Sequence, residues 1–229
     1  VAVLQTAAAA ADRVAGQLQA GEIPLVGRTE AQVSADIGRR LVAEGHRRVN
    51  FAIVAAGANA ASPHHEPGSR VIERGEIVLC DFGGTFEGPD GVGYCSDITR
   101  CVHTGDIPAD LMDMYDVLHD AQQAAVQGAL VGATCESVDA IARDRIAAAG
   151  FGDQFVHRTG HGIGVEEHED PYLVAGNTTS LVAGHAFSIE PGIYLPGRWG
   201  ARLEDIVVAT ATGPLALNTT DHTLVPVEA

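Results

Sequence analysis

The sequence predicts an α+β fold built from two α-α-β-β halves, whose strands form one antiparallel sheet with the helices packed on one side. Three observations carry that expectation. A capped helical pattern recurs at the same length in each half, another helical stretch precedes each copy, and β-rich segments bounded by Gly or Pro follow each copy. The halves run from about 1 to 105 and from 106 to 229, within a single domain.

The first half opens with an alanine-rich helical stretch near residues 3–20. Thr29 then starts a second helix. Gln32 completes a capping box with it, Val33, Ile37 and Leu41 share one face, and Gly45 ends the pattern. VNFAIVAAG, EIVLCDFGG and GYCSDITRCVH follow as strands. In the second half a helix follows Pro108 and runs to about 130, and Thr134 repeats the capped pattern. Val138, Ile141, Ile146 and Ala149 lie along that second copy, which stops at Gly150. Each Thr-to-Gly span is 16 residues, and the two are offset by 105. AFSIEPGIYL and ARLEDIVVAT are the strands that follow.

Composition narrows the chemistry. A chain of 229 residues that is 46% apolar can bury a sizeable core. No apolar run approaches the roughly 20 residues that a membrane span needs, and no basic region followed by a signal-type segment opens the chain, so a cytoplasmic protein is expected. Cys80, Cys95, Cys101 and Cys135 contain no C-x-x-C pair, and reduced thiols are the expectation. All 14 basic residues are arginine. The absence of lysine excludes Schiff-base chemistry and a Walker-type phosphate loop. A formal charge of −16 argues against a nucleic-acid partner and raises the possibility that carboxylates hold cations.

The acids fall on the hairpins. Asp81 and Asp97 are centred on Pro89 in the GPDG turn, and Glu190 and Glu204 on Gly197 in LPGRWG. If each turn is the midpoint of its hairpin, each pair lies directly cross-strand on one face, with Cβ atoms about 4.5–5.5 Å apart. Any one strand-borne acid ordinarily faces solvent. Asp81 and Glu190, however, follow the apolar runs IVLC and AFSI, where strands are buried, and four gathered carboxylates require protons or a cation. His161 stands among Gly160, Gly162 and Gly164, where backbone can approach closely and no neighbouring side chain competes, which leaves room for a site. Four carboxylates and one imidazole exceed what one zinc takes and suit two divalent ions, with manganese, cobalt, iron(II) and zinc all compatible.

The ordered blocks CDFGG, YCSDITR, GHGIGVEEHE, SIEPGIY and ARLEDIV resemble the pita-bread dinuclear metallopeptidases, above all Xaa-Pro dipeptidase (prolidase) and aminopeptidase P. The resemblance runs from about residue 50 to 210 and implies a curved antiparallel sheet with helices outside. It also implies that Asp81, Asp97, His161, Glu190 and Glu204 bind two divalent metals, manganese foremost, with Asp97 and Glu204 bridging. Glu190 would take the proton of the metal-bound water. His64, 17 residues before Asp81, matches a histidine that contacts substrate, and His168 one that supports the tetrahedral intermediate. His157 and Arg202 match accessory positions around the site.

The implied activity is hydrolysis of the bond preceding proline by a hydroxide bridging the two metals, with a short proline-containing peptide as substrate and a homodimer as the assembly. Such a bond lacks the amide N–H that extended-strand recognition uses. Dipeptidase and aminopeptidase P are not separated by these residues. Methionine aminopeptidase is disfavoured, since its last block resembles FEHT rather than RLEDI, and creatinase is disfavoured because all five ligands are present. A peptide-binding module without activity is the alternative from another class. Two departures from the pattern are a longer Asp81–Asp97 spacing, with GPDGVG as an insertion expected to keep the ligands in register, and the absence of the usual N-terminal domain. His65 reads as a local hydrogen-bonding or surface group, and His46, His103, His119, His185 and His222 as surface or satisfied residues. Cys80 is expected to pack on the strand face opposite Asp81, and Trp199 either caps its turn or lines the pocket.

Overall fold

In the computed structural model, which describes residues 1–228, small side chains let the first helix sit deep against a sheet. α1 (Ala2–Gln19) buries Ala7, Ala8, Ala10, Ala11, Val14, Ala15 and Leu18, a broad face that larger residues would hold away from the strands. α2 (Glu30–Ala43) begins at Thr29, whose hydroxyl accepts from the Gln32 N–H at 3.1 Å while the Gln32 side chain accepts from the Thr29 N–H at 2.9 Å. Gly45 ends it in the left-handed region, at φ 106°. α3 (Ala109–Gly128) is followed by α4 (Cys135–Ala148), where Thr134 accepts from the Ser137 N–H. Here the box is not reciprocal. The shorter Ser137 side chain donates to the Thr134 carbonyl instead, and Gly150 again closes the helix at φ 90°.

The first half contains β1 (Arg48–Ala56), β2 (Ile77–Glu87), β3 (Gly93–Cys95) and β4 (Ile98–Thr104). The second contains β5 (Gly160–Gly162), β6 (Glu169–Leu173), β7 (Ala186–Ile189), β8 (Gly192–Leu195), β9 (Trp199–Arg202), β10 (Asp205–Thr210), β11 (Gly213–Ala216) and β12 (Val225–Val227). They form two curved, mainly antiparallel five-stranded sheets, ordered β1-β2-β4-β12 with β3 on β2, and β11-β10-β7-β5-β6, plus a β8–β9 ribbon. A bridge between Thr99 and Glu204 joins the halves. β12 crosses to lie parallel to β4. Strands β5, β6, β11 and β12 have no clear signature in the sequence: they are three to five residues long, and β6, β11 and β12 contain proline.

Each helix pair covers its own sheet. α1 and α2 enclose Val54, Val78, Cys80, Phe82, Ile98 and Val102, and α3 and α4 enclose Phe187, Ile189, Ile193, Leu203 and Val207. β2 is buried on both faces along Ile77–Gly84, its even-numbered side chains turned to α1 and α2 and its odd-numbered ones to the opposite face, where Ile77 and Leu79 join the core of the second half. All four cysteines are free and buried. Among the described residues no helix is long and apolar enough to cross a membrane.

Candidate metal centre

Strand alternation and strand breaks together deliver the acids to one place. Asp81 extends from the face of β2 turned away from α1 and α2, opposite Cys80, as expected. Asp97 lies in the short gap between β3 and β4, Glu190 between β7 and β8, and Glu204 between β9 and β10. The expected register holds for the second pair. Gly192 opposes Arg202 on one side of the break and Ile189 opposes Asp205 on the other, so Glu190 and Glu204 face each other across an interruption in one long hairpin. It fails by one residue for the first. Gly88 N–H closes the tip on the Val92 carbonyl, which centres the hairpin on Asp90 rather than Pro89. Thr99 therefore opposes Asp81, and Asp97 is displaced two residues along the strand. The parity of faces survives that shift, so both acids still line the cavity.

His161, at the centre of β5, is oriented by its own neighbour. Its Nδ1–H donates to the Gly162 carbonyl at 3.0 Å, which leaves the Nε2 lone pair pointing at Glu190 Oε1, 3.3 Å away, and Asp97 Oδ2, 3.7 Å away. Burial, then the neighbouring His168, holds this imidazole neutral, with its pKa pushed down to about 3. A lone pair facing carboxylates at such distances is repulsive unless something positive lies between them. Donor atoms of Asp97, His161 and Glu204 all lie within 4.8 Å of one another. Asp97 Oδ1 and Asp81 Oδ1 are buried without a hydrogen-bond partner among the described residues. Burial, and then Glu204, raises Asp97 well above the usual carboxylate range; burial and Glu190 do the same to Glu204. Burial lifts Glu190 to about 7. The donor set and its orphaned oxygens fit divalent cations.

Around these five groups lies a cavity of about 650 Å³ whose wall includes His64, His157, His168 and Arg202. All nine residues singled out from the sequence therefore converge. Arg202 is buried and pairs with Asp81 Oδ2 at 2.5 Å, while its Nε donates to Thr99 and its Nη1 to the Tyr194 hydroxyl. The Tyr194 hydroxyl donates in turn to His157 Nε2 at 2.8 Å, because the His157 Nδ1–H already donates to the Arg158 carbonyl at 2.7 Å. Burial, with Arg202 next, holds His157 neutral at a pKa of about 3. His168 stacks on His161, ring centroids 4.1 Å apart, and His64 reaches the cavity from the 57–68 loop.

Residues 2–211 match the sequence profile of metallopeptidase family M24. The chain belongs to that family. A probable dipeptidase PepE from Mycobacterium tuberculosis is 50% identical over 224 residues, which are 98% of this chain and 58% of that protein. The crystal structure of dipeptidase PepE from Mycobacterium ulcerans superposes with a TM-score of 0.95 at 52% identity, over 100% of this chain and 60% of that one. A prolidase structure from Thermococcus sibiricus gives a TM-score of 0.93 at 38% identity, over 98% of this chain and 60% of that one. This M24 chain thus spans less than two thirds of the length of these relatives.

Sequence reasoning passed over the groups that hold the nine in place. Thr99 donates to Glu204 Oε2 at 2.7 Å, and Ser188 donates to Glu190 Oε1 at 2.9 Å while accepting from the His161 N–H. Both lie two residues from a candidate ligand in sequence, a spacing that could have flagged them. The glycines around His161 serve the close backbone approach expected of them more than they open room. A Cβ at Gly160 would strike the Ser188 carbonyl and one at Gly162 the Glu169 carbonyl, so they let β5 lie close against β7 and β6. His46 is buried between the Leu41 carbonyl and the Ser96 hydroxyl, and His222 bonds Asp205. Trp199 packs on the core of the second half, away from the cavity.

Proposed function

We propose that this chain is a metal-dependent exopeptidase domain that hydrolyses the bond preceding proline, in Xaa-Pro dipeptides or at the N-terminus of Xaa-Pro peptides. The observation that carries this reading is the convergence of four carboxylates on an imidazole whose free lone pair faces them inside a cavity. The prolidase among the similar structures supports the choice of proline. Asp81, Asp97, His161, Glu190 and Glu204 would hold two divalent ions, manganese foremost and cobalt, zinc or iron(II) as alternatives. Bound there, the ions supply Lewis acidity toward the scissile carbonyl and lower the pKa of water.

The side chains would do the rest. Glu190, whose Oε1 lies 3.3 Å from His161 Nε2 on the cavity wall, would take a proton from the attacking water and return it to the departing proline nitrogen. His168 and His64, on the cavity wall, would hydrogen-bond the oxygen that gains charge. Neutral His157, fixed by Tyr194, and Arg202, fixed on Asp81, keep the wall in one arrangement. Two copied halves, 1–105 and 106–229, are proposed as the origin of the fold, and a homodimer as the assembly.

Hydrolysis of Ala-Pro and Gly-Pro is the test, measured with added manganese and after exhaustive chelation. Manganese-dependent release of proline is expected. Faster cleavage of methionyl-alanyl peptides would transfer the chain to the methionine aminopeptidase branch. Activity unchanged by chelation would refute the metal reading.

A further inference from the structure

Glu30 is a carboxylate with no exposed surface, far from the five candidate ligands in sequence, and it gathers donors from across one segment. Its Oε1 accepts from the Ala56 N–H at 2.9 Å and from Asn59 Nδ2 at 3.0 Å. Oε2 accepts from His65 Nε2 at 2.7 Å, and from the Gly68 N–H at 3.4 Å. One side chain thereby ties down both ends and the middle of the stretch that carries His64. His64 itself is exposed and makes no side-chain hydrogen bond among the described residues, so its direction depends on how its backbone is held. The His65 N–H donates to the Ser62 carbonyl, and Arg202 Nη1 donates to the Pro63 carbonyl at 3.4 Å.

The start of α4 repeats the backbone pattern of the start of α2 without this carboxylate. In the first half the leading amides of α2 bond outward, Glu30 N to the Arg70 carbonyl and Ala31 N to that of Gly68, both at 3.0 Å. α4 repeats the pattern, Cys135 N to the Thr179 carbonyl at 2.9 Å and Glu136 N to that of Asn177 at 2.8 Å. The residue 105 positions after Glu30 is Cys135, equally buried and with no charge to place. A helix start of this geometry is therefore built without a buried acid at its first position, where the second half has Cys135.

We propose that Glu30 and His65 form a positioning pair that holds residues 56–68 so that His64 faces the cavity; the role of His64 rests on the function proposed above. Burial is the largest influence on Glu30 and pushes its pKa up, but the Ala56 N–H, His65 and Asn59 together outweigh it and keep the carboxyl below its ordinary value. The pair acts on catalysis only through His64. Losses at His65 and His64 should then be non-additive.

The experiment compares His65→Ala, His65→Gln, Glu30→Gln and His64→Ala with the double variant His64→Ala/His65→Ala. Steady-state kinetics on Ala-Pro with manganese are measured alongside hydrogen–deuterium exchange of the 56–68 peptide. Expected for His65→Ala is a fall in kcat of about tenfold with KM within about twofold, partial rescue by the Gln that keeps a donor toward Glu30, and faster exchange confined to 56–68. Adding His65→Ala to His64→Ala should cost less than about twofold. An equal cost in both backgrounds, or unchanged exchange in His65→Ala, overturns the proposal. His65 is part-exposed, so its variants carry the test if Glu30→Gln does not fold. Should the unaltered protein release no proline at all, the function proposed above falls, while the exchange comparison still decides whether the pair holds the loop.

Discussion

Replacing Arg100 by Met should unclasp the two halves directly behind the candidate metal centre. The side chain is completely buried, as is that of Asp205, and Arg100 Nη2 lies 2.8 Å from Asp205 Oδ1. The same guanidinium donates to the carbonyls of Glu204 at 2.7 Å and of Thr99, Thr220 and Asp221 at 3.0 Å, spanning the bridge that joins the sheets. Removing one partner of a buried pair costs about 3–5 kcal/mol, because the other charge is left uncompensated. Asp205 retains Gln122 at 2.9 Å and His222 at 2.6 Å, which places the expected loss near the lower end, about 3 kcal/mol. For a chain of this length that is a fall in Tm of about 6–12 °C.

The assay is urea and thermal unfolding in the presence of a chelator, so that metal linkage does not enter. Adding Asp205→Asn to Arg100→Met should recover part of the loss, since the stranded charge is then gone. The pH dependence follows from the sign of the shift. Burial pushes Asp205 up, but Arg100 and the His222 hydrogen bond outweigh it and hold its pKa below the ordinary value. Its contribution is therefore present above the unfolded value, near 4, and is lost as pH falls through the folded one, so the gap between Arg100→Met and the parent should narrow in acid. A loss under about 1 kcal/mol at neutral pH would refute the clasp.

Further outcomes follow from other parts of the molecule. His161→Ala should reduce metal content per chain, with activity partly restored by excess manganese, whereas His168→Ala should keep both ions and lose about a hundredfold in kcat; elemental analysis beside kinetics checks this, and the reverse pattern would exchange the two roles. Burial holds the His46 pKa below its ordinary 6.5, so folding excludes the charged form and stability should fall as pH drops below that value; the slope, up to about 1.4 kcal/mol per pH unit from one proton, should be shallower in His46→Gln. Thr29→Ala removes the capping box of α2 and should cost about 1 kcal/mol in denaturant unfolding, more than Thr134→Ala, whose cap is not reciprocal.

Short-range chemistry in the sequence determined the helix starts and stops at Thr29, Gly45, Thr134 and Gly150, the inward run of β2, and the residue types of the site, because caps, left-handed glycines and alternation act within a few positions along the chain. It also determined that Glu190 would face Glu204, since a turn centred on Gly197 sets the register of a whole hairpin. The tertiary structure decided what no local pattern encodes. The Asp81 hairpin is centred one residue later than its turn residues suggest, because a long tip can close in more than one way. β5 and β12 are strands only because β6, β7 and β4 are there to pair with them. The imidazole tautomers depend on carbonyls and on a Tyr194 hydroxyl brought in by the fold, and the raised pKa values of Asp97, Glu190 and Glu204 depend on their being buried together. Glu30 is the clearest case. Along the chain it is one more acid in the first turn of a helix, and only the return of residues 56–68 across that helix start gives its two oxygens their donors.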